Sequence, residues 1–187
     1  VGSVRMCIRD RANISRHRAV LLQAGRRRMK NAVFPGSFDP FTVGHLDILK
    51  RACEIFDHVT VCVIPNPAKH YLFSDEERVM LINRVIEAEG IKNAAADSFS
   101  GLTVECARKH DARFMVRGLR SYDDYEFETN MEYFNKRLAP EVQTVYLACD
   151  AAHVHISSSA VRELMKYGAD IGCLLYTSPS PRDATLS

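Results

Sequence analysis

A histidine, a lysine, two arginines and a run of serines in this chain have the types and spacing that phosphate chemistry needs. His45 ends the string Phe34-Pro35-Gly36-Ser37-Phe38-Asp39-Pro40-Phe41-Thr42-Val43-Gly44-His45. The apolar run Ala32-Val33-Phe34 precedes it, and Leu46, Leu49, Cys53 and Phe56 follow at helical spacing. The stretch therefore reads as a strand, a Gly/Pro turn and the first turn of a helix. Backbone N–H groups left free at a helix start attract phosphate. Gly36 and Gly44 have no Cβ to hold a ligand away. His45 is placed to donate to a phosphate oxygen. Taken alone, Pro-Gly-Ser-Phe-Asp-Pro is also an ordinary turn, and His45 an ordinary surface histidine.

The other candidates follow the carboxyl ends of apolar runs or open helices. Lys69 comes just after the second apolar run; a lone loop lysine is usually only solvated. Arg117-Gly118-Leu119-Arg120 closes the fourth, and two guanidinium forks beside a glycine suit bidentate phosphate binding. Glu128 lies two helical turns beyond Arg120. Its neighbours Asp123, Asp124 and Glu126 prevent a choice among these acids on charge alone. Ile156-Ser157-Ser158-Ser159-Ala160-Val161-Arg162 is a serine-rich helix start, which is a cap, an anion site or both. No G-x-S-x-G elbow, Cys/His pair, metal-ligand spacing or Walker loop stands out. The groups present suit a reaction whose difficulty is phosphate charge.

The elements that must position these groups alternate. Strands are expected at Ala32–Phe34, His58–Ile64, Asn93–Asp97, Ala112–Val116 and Gln143–Ala148; the second and fifth read as buried. Helices are expected after the first turn, then from the Ser74-Asp75-Glu76-Glu77 capping box to Gly90, with Val79, Ile82, Val85 and Ile86 inward. Further helices are expected at Thr103–His110, Ser121–Leu138 and Ser157–Tyr167. The long one carries Phe127, Met131, Phe134 and Leu138 on one stripe, and Gly168 closes the last. This alternation predicts an α/β fold, a doubly wound five-stranded parallel sheet. Ligands of such sheets bind beyond the carboxyl ends of the strands.

With 187 residues, one domain with a real core is expected. No apolar run approaches the roughly 20 residues of a membrane span. Six scattered cysteines without a C-x-x-C pair point to a reducing compartment over a disulfide framework or zinc site. The net charge of +2 hides an asymmetry. Residues 1–30 carry roughly +8, leaving roughly −6 elsewhere. The strings Met6–Arg11 and Leu175–Ser187 resemble translated sequencing-adapter read-through. The expected folded domain is therefore 29–173, with a truncated final helical segment; 1–28 and 174–187 are expected to be non-native or disordered extensions. The acidic remainder has no electrostatic footprint for nucleic acid.

Thr42-Val43-Gly44-His45 resembles the T/H-x-G-H signature of the nucleotidyltransferase superfamily. With the Pro-Gly-Ser-Phe-Asp-Pro lead-in, Lys69, the R-G-L-R string and the serine motif, residues 29 to about 172 resemble the bacterial phosphopantetheine adenylyltransferases. The resemblance implies a Rossmann-like nucleotidyltransferase fold and transfer of adenylyl from ATP to 4'-phosphopantetheine, giving dephospho-coenzyme A and pyrophosphate. It implies His45 and Lys69 as catalytic, and Ser37, Lys69, Thr103 and Arg117 as contacts to phosphopantetheine. It implies ATP contacts at Ser37, Phe38, His45, Gly118, Leu119, Arg120 and Glu128, and at Ile156, Ser157, Ser158 and Ser159. His153, Val154 and His155 stand where the family has mostly aromatic residues. Magnesium, held mainly by ATP phosphates, a cytoplasmic homohexamer and competition by coenzyme A are further implications, with neither nucleic acid nor membrane as partner. The alternatives are another adenylyl- or cytidylyltransferase, such as one acting on nicotinamide mononucleotide, and a non-catalytic nucleotide-binding protein.

Overall fold

The computed structural model describes residues 29–169, 171–172 and 174–175. The extension expected at 1–28, and the part of the expected tail beyond 175, lie outside the described residues. Among the described residues five strands alternate with five helices: β1 Asn31–Gly36, α1 Val43–Ile55, β2 His58–Val63, α2 Asp75–Ala88, β3 Ala94–Ser98, α3 Thr103–Lys109, β4 Phe114–Leu119, α4 Tyr122–Leu138, β5 Gln143–Ala148 and α5 Ser158–Lys166. The sheet is parallel throughout, in the order β3-β2-β1-β4-β5. The order reverses between β1 and β4, and such a reversal opens a crevice beyond the strand ends.

Strand alternation sorts the core into two layers. Ala32, Phe34, Val59, Val61, Val63 and Val116 pack with Leu49 of α1 and Ile82 of α2 on one face. Val33, Cys62 and Met115 pack with Val104, Cys106 and Ala107 of α3 on the other. The period of two in a parallel sheet covered on both faces explains why the first two strands are mostly apolar on both faces.

Two expectations need correction. β5 is half-buried, with both ends exposed, because it is the edge strand. The expected α4 helix is present, and the described residues leave its stripe uncovered: Phe127 is 62% exposed and Phe134 57%. No residue of α4 is buried, although its N-cap Ser121 accepts from the Asp124 amide as a helix start requires. The strand expected to end at Val116 continues through Arg117 and Gly118 to Leu119.

The capping box of α2 is present: Ser74 Oγ accepts from the Glu77 amide, and Glu77 accepts from the Ser74 amide. The next turn holds a residue that periodicity did not flag. Arg78 is 1% exposed. Its guanidinium donates to the Ser37 carbonyl and to Asp75, its Nε donates to the Ser74 carbonyl, and it lies 4.2 Å over the Tyr71 ring. A buried guanidinium is tolerated only when its donors are satisfied in this way. Arg78→Ala strands the Ser37 carbonyl and leaves a cavity, so it should lower unfolding free energy by roughly 2–5 kcal/mol. Urea denaturation checks this; an unchanged midpoint would show that the contacts carry no weight.

Candidate active site

β1 delivers the chain into a tight turn at Gly36. A Cβ at Gly36 would come within 2.8 Å of the Phe38 ring, so this crossing needs glycine. Phe38 takes φ +48° and packs edge-on to Phe34. Thr42 then caps α1, and His45 occupies its first turn. The Thr42 amide donates to His45 Nδ1 at 3.0 Å, and the Thr42 hydroxyl lies 3.0 Å from the same nitrogen. An amide only donates, so Nδ1 is the acceptor and the ring proton sits on Nε2. Phe38 and Phe41 flank the imidazole at 5.1 and 5.5 Å. Burial, then Arg120 and Arg117, lower the His45 pKa from 6.5 to about 4. His45 is therefore a neutral Nε2–H donor at physiological pH.

The cleft beside it has a volume of about 290 Å³ and lies at the carboxyl ends of β1 and β4. Lys69, Arg117, Arg120 and Arg162 line it, against the carboxylates of Asp124 and Glu128. Ser37, Phe38, Gly118, Ile156, Ser157, Ser158 and Ser159 complete the expected set that reaches it. Thr103, at the start of α3, and Leu119, at the end of β4, are outside the lining.

The arginines are held in place by acids. Arg117 donates from Nε to Glu128 at 2.7 Å, a second fork nitrogen also meets Glu128, and Nη1 donates to the Pro35 carbonyl at 2.6 Å. Glu128, expected as a nucleotide contact, is thus the partner of Arg117. Arg120 pairs with Asp124 at 3.0 Å, and Asp124 also accepts from the Arg120 amide. Gly118 leaves room behind this strand end: a Cβ there would sit 3.2 Å from Ile48. Lys69 is exposed, on a turn closed by its own amide to the Asn66 carbonyl at 2.9 Å and by the Ala68 amide to Asn66 Oδ1 at 3.0 Å.

The serine motif serves structure as well as the cleft. Ser157 caps α5 by accepting from the Ala160 amide, and Ser158 donates to the Pro40 carbonyl at 2.9 Å. Arg162 donates to the Asp39 carbonyl and to Ser159. Asp39 and Arg162 are functional positions that the sequence reading named only inside longer strings. Asp39 is fully buried. Its carboxylate accepts from the Leu72 and Phe73 amides at 2.9 and 3.1 Å and faces Arg162 at 3.5 Å. The signal was available, as an acid inside an apolar turn, but its partners lie 33 to 123 residues away. Leu174 and Leu175 return to the start of α1, Leu175 bridging Thr42 and the Val43 amide donating to the Leu174 carbonyl.

A helix start presenting a neutral imidazole, a second helix start rich in serine and four cations around one cleft are the equipment of a nucleotidyltransferase. The cytidylyltransferase-like family model matches residues 33–164. A bifunctional NMN adenylyltransferase/ADP ribose pyrophosphatase from Francisella tularensis has a similar fold, with TM-score 0.63 at 17% identity over 81% of this chain and 46% of that one. A phosphopantetheine adenylyltransferase from Desulforudis audaxviator is 45% identical over 158 residues, covering 84% of this chain and 94% of that protein. Another, from Heliobacterium modesticaldum, is 48% identical over 143 residues, covering 76% and 84%. The chain belongs to the phosphopantetheine adenylyltransferase family.

The lowered pKa of His45 gives a pH signature. Between pH 4 and 6.5 the unfolded chain binds this proton and the folded chain does not. Stability therefore rises with pH across that window and is lost as pH falls through it. His45→Gln should flatten the rise in urea unfolding. Nitrogen-15 NMR of the ring should report the Nε2–H tautomer down to pH about 5; a ring titrating near 6.5 would contradict the assignment.

Proposed function

We propose that the chain transfers the adenylyl group of ATP to 4'-phosphopantetheine, giving dephospho-coenzyme A and pyrophosphate. The observation that carries this reading is the convergence of His45, Lys69, Arg117, Arg120 and the α5 start on one cleft, in a chain of this family. The pantetheine phosphate attacks the ATP α-phosphorus in line, and pyrophosphate leaves. The attacking oxygen is already anionic, so no general base is needed. Catalysis is positioning plus stabilisation of the charge that gathers at the α-phosphoryl group.

In this reading Arg117 and Ser37 hold the pantetheine phosphate, and Lys69 spans both reactants. His45 Nε2–H donates to the α-phosphoryl oxygens and the departing pyrophosphate. Its neutrality lets it donate without adding an unpaired buried charge. Arg120, Gly118 and the serines Ser157 to Ser159 receive the triphosphate. Phe38 and Ile156 supply apolar walls. Thr103 and Leu119 lie outside the lining.

Magnesium enters as part of the ATP substrate, held by phosphates and water. The cleft's lining carboxylates form no cage for it, because Asp124 and Glu128 are committed to Arg120 and Arg117. Two further readings are proposals. The apolar face of α4, with Phe127, Tyr133, Phe134 and Leu138 more than half exposed, supports assembly into the homohexamer that the resemblance implies. Cytoplasmic location is consistent with the described helices, none of which is long and apolar enough to cross a membrane.

A pyrophosphate-release assay with ATP and a panel of 4'-phosphopantetheine, nicotinamide mononucleotide and nicotinate mononucleotide tests the substrate. Only the first should give turnover; release with a mononucleotide alone would overturn the reading. His45→Ala should leave ATP binding near wild type and cut turnover by about 10²-fold or more. Arg117→Ala should weaken 4'-phosphopantetheine in calorimetry, and unchanged affinity would remove that role. Light scattering should report six chains per particle if the α4 face is covered by copies; a single-chain mass would rule assembly out.

A further inference from the structure

The spacing of the cysteines points away from a zinc site, yet the fold gathers ligands that lie far apart in sequence. Cys62 projects from β2; Cys106 and His110 come from α3 and its C-terminal residue. Their spacing of four residues puts Cys106 and His110 on one helical face. The two sulfurs and an imidazole nitrogen all lie within 4.8 Å of one another. Asp97 of β3 stands in register beside Cys62, so the two side chains share a face of the sheet. Its Oδ2 lies 3.2 Å from His110 Nε2.

Three features separate this cluster from a packed pair of thiols. Both sulfurs belong to fully buried residues, and both cysteines are free. His110 Nε2 is shielded from solvent and makes no hydrogen bond. An unsatisfied buried ring nitrogen is costly, and a ligand that accepts its lone pair removes the cost. Lys109 donates to Asp97 at 2.7 Å, which supplies a positive charge at the outer edge.

We propose that Cys62, Cys106 and His110 bind a thiophilic divalent cation of the zinc class, and that Asp97 completes the set by turning its Oδ2 from Lys109 toward the ion. Two gathered sulfurs and one imidazole nitrogen, with a carboxylate beside them, favour a soft to borderline ion over magnesium or calcium. Binding releases the two thiol protons to solvent. Two thiolates and one carboxylate then face the dication, and Lys109 balances the remaining negative charge. None of these residues lines the nucleotide cleft, so the ion is structural: it pins α3 to β2 and β3.

The test is titration of the full, reduced chain with Co²⁺, followed by displacement with Zn²⁺. About one equivalent of Co²⁺ should give the visible bands of a tetrahedral ion and a near-ultraviolet thiolate charge-transfer band. Zn²⁺ should bleach both and raise the melting temperature. Cys106→Ser should lose the charge-transfer intensity of one thiolate and weaken Co²⁺ at least about 100-fold, and Asp97→Asn should weaken it about 10–100-fold. Circular dichroism with no metal added should match wild type in each variant, and retained pyrophosphate release shows that the fold survives. A wild-type spectrum without thiolate charge transfer, or binding unchanged in Cys106→Ser, would overturn the site. Because the wild-type spectrum is decisive by itself, a variant that fails to fold leaves the test intact.

Discussion

The cleft depends on one buried carboxylate. Asp39 sits in the turn after β1, takes two amides from the segment before α2 and faces Arg162 of α5. Three loops that share no sequence neighbourhood are thereby fixed to one another. One loop carries Ser37 and leads to His45, the second carries Lys69, and the third carries the serine helix start. A fully buried acid costs several kcal/mol unless its oxygens are satisfied. Here backbone amides and a guanidinium satisfy it, so the geometry that stabilises Asp39 is also the geometry that assembles the cleft. Arg78 reinforces this from below by gripping the Ser37 carbonyl from α2.

The electrostatics follow the same logic. Arg117 and Arg120 reach the cleft already paired to Glu128 and Asp124. The pairs fix these two guanidinium forks in one orientation before any phosphate arrives. His45 adds a donor without adding charge, because the Thr42 amide fixes its tautomer and burial keeps it neutral. Donors fixed in advance, in a partly dry site, stabilise developing charge better than mobile ones.

The fold was legible because apolar runs and helical periodicity alternate cleanly and because Gly, Pro and Ser mark the ends. β5 misled, since an apolar run does not report whether a further strand covers its edge. The motif residues of the cleft were legible because each follows a strand end or opens a helix. Glu128 lines the cleft as expected of a contact residue, but its partnership with Arg117 was not legible, being a contact across 11 residues and two elements. Asp39, Arg78 and Arg162 act through contacts of 33 to 123 residues, which local spacing cannot encode. Cys62, Asp97, Cys106 and His110 were missed for the same reason, since β2, β3 and α3 each supply part of the set.

The most direct test of the convergent cleft is an ATP titration of nitrogen-15 labelled protein followed by amide NMR. The account predicts that Gly36, Ser37, His45, Gly118, Arg120, Ser158 and Ser159 shift together along one binding curve, while amides of β3 and the middle of α2 stay fixed. Shifts scattered over unrelated surfaces, or a silent His45 beside a moving Ser158, would contradict it.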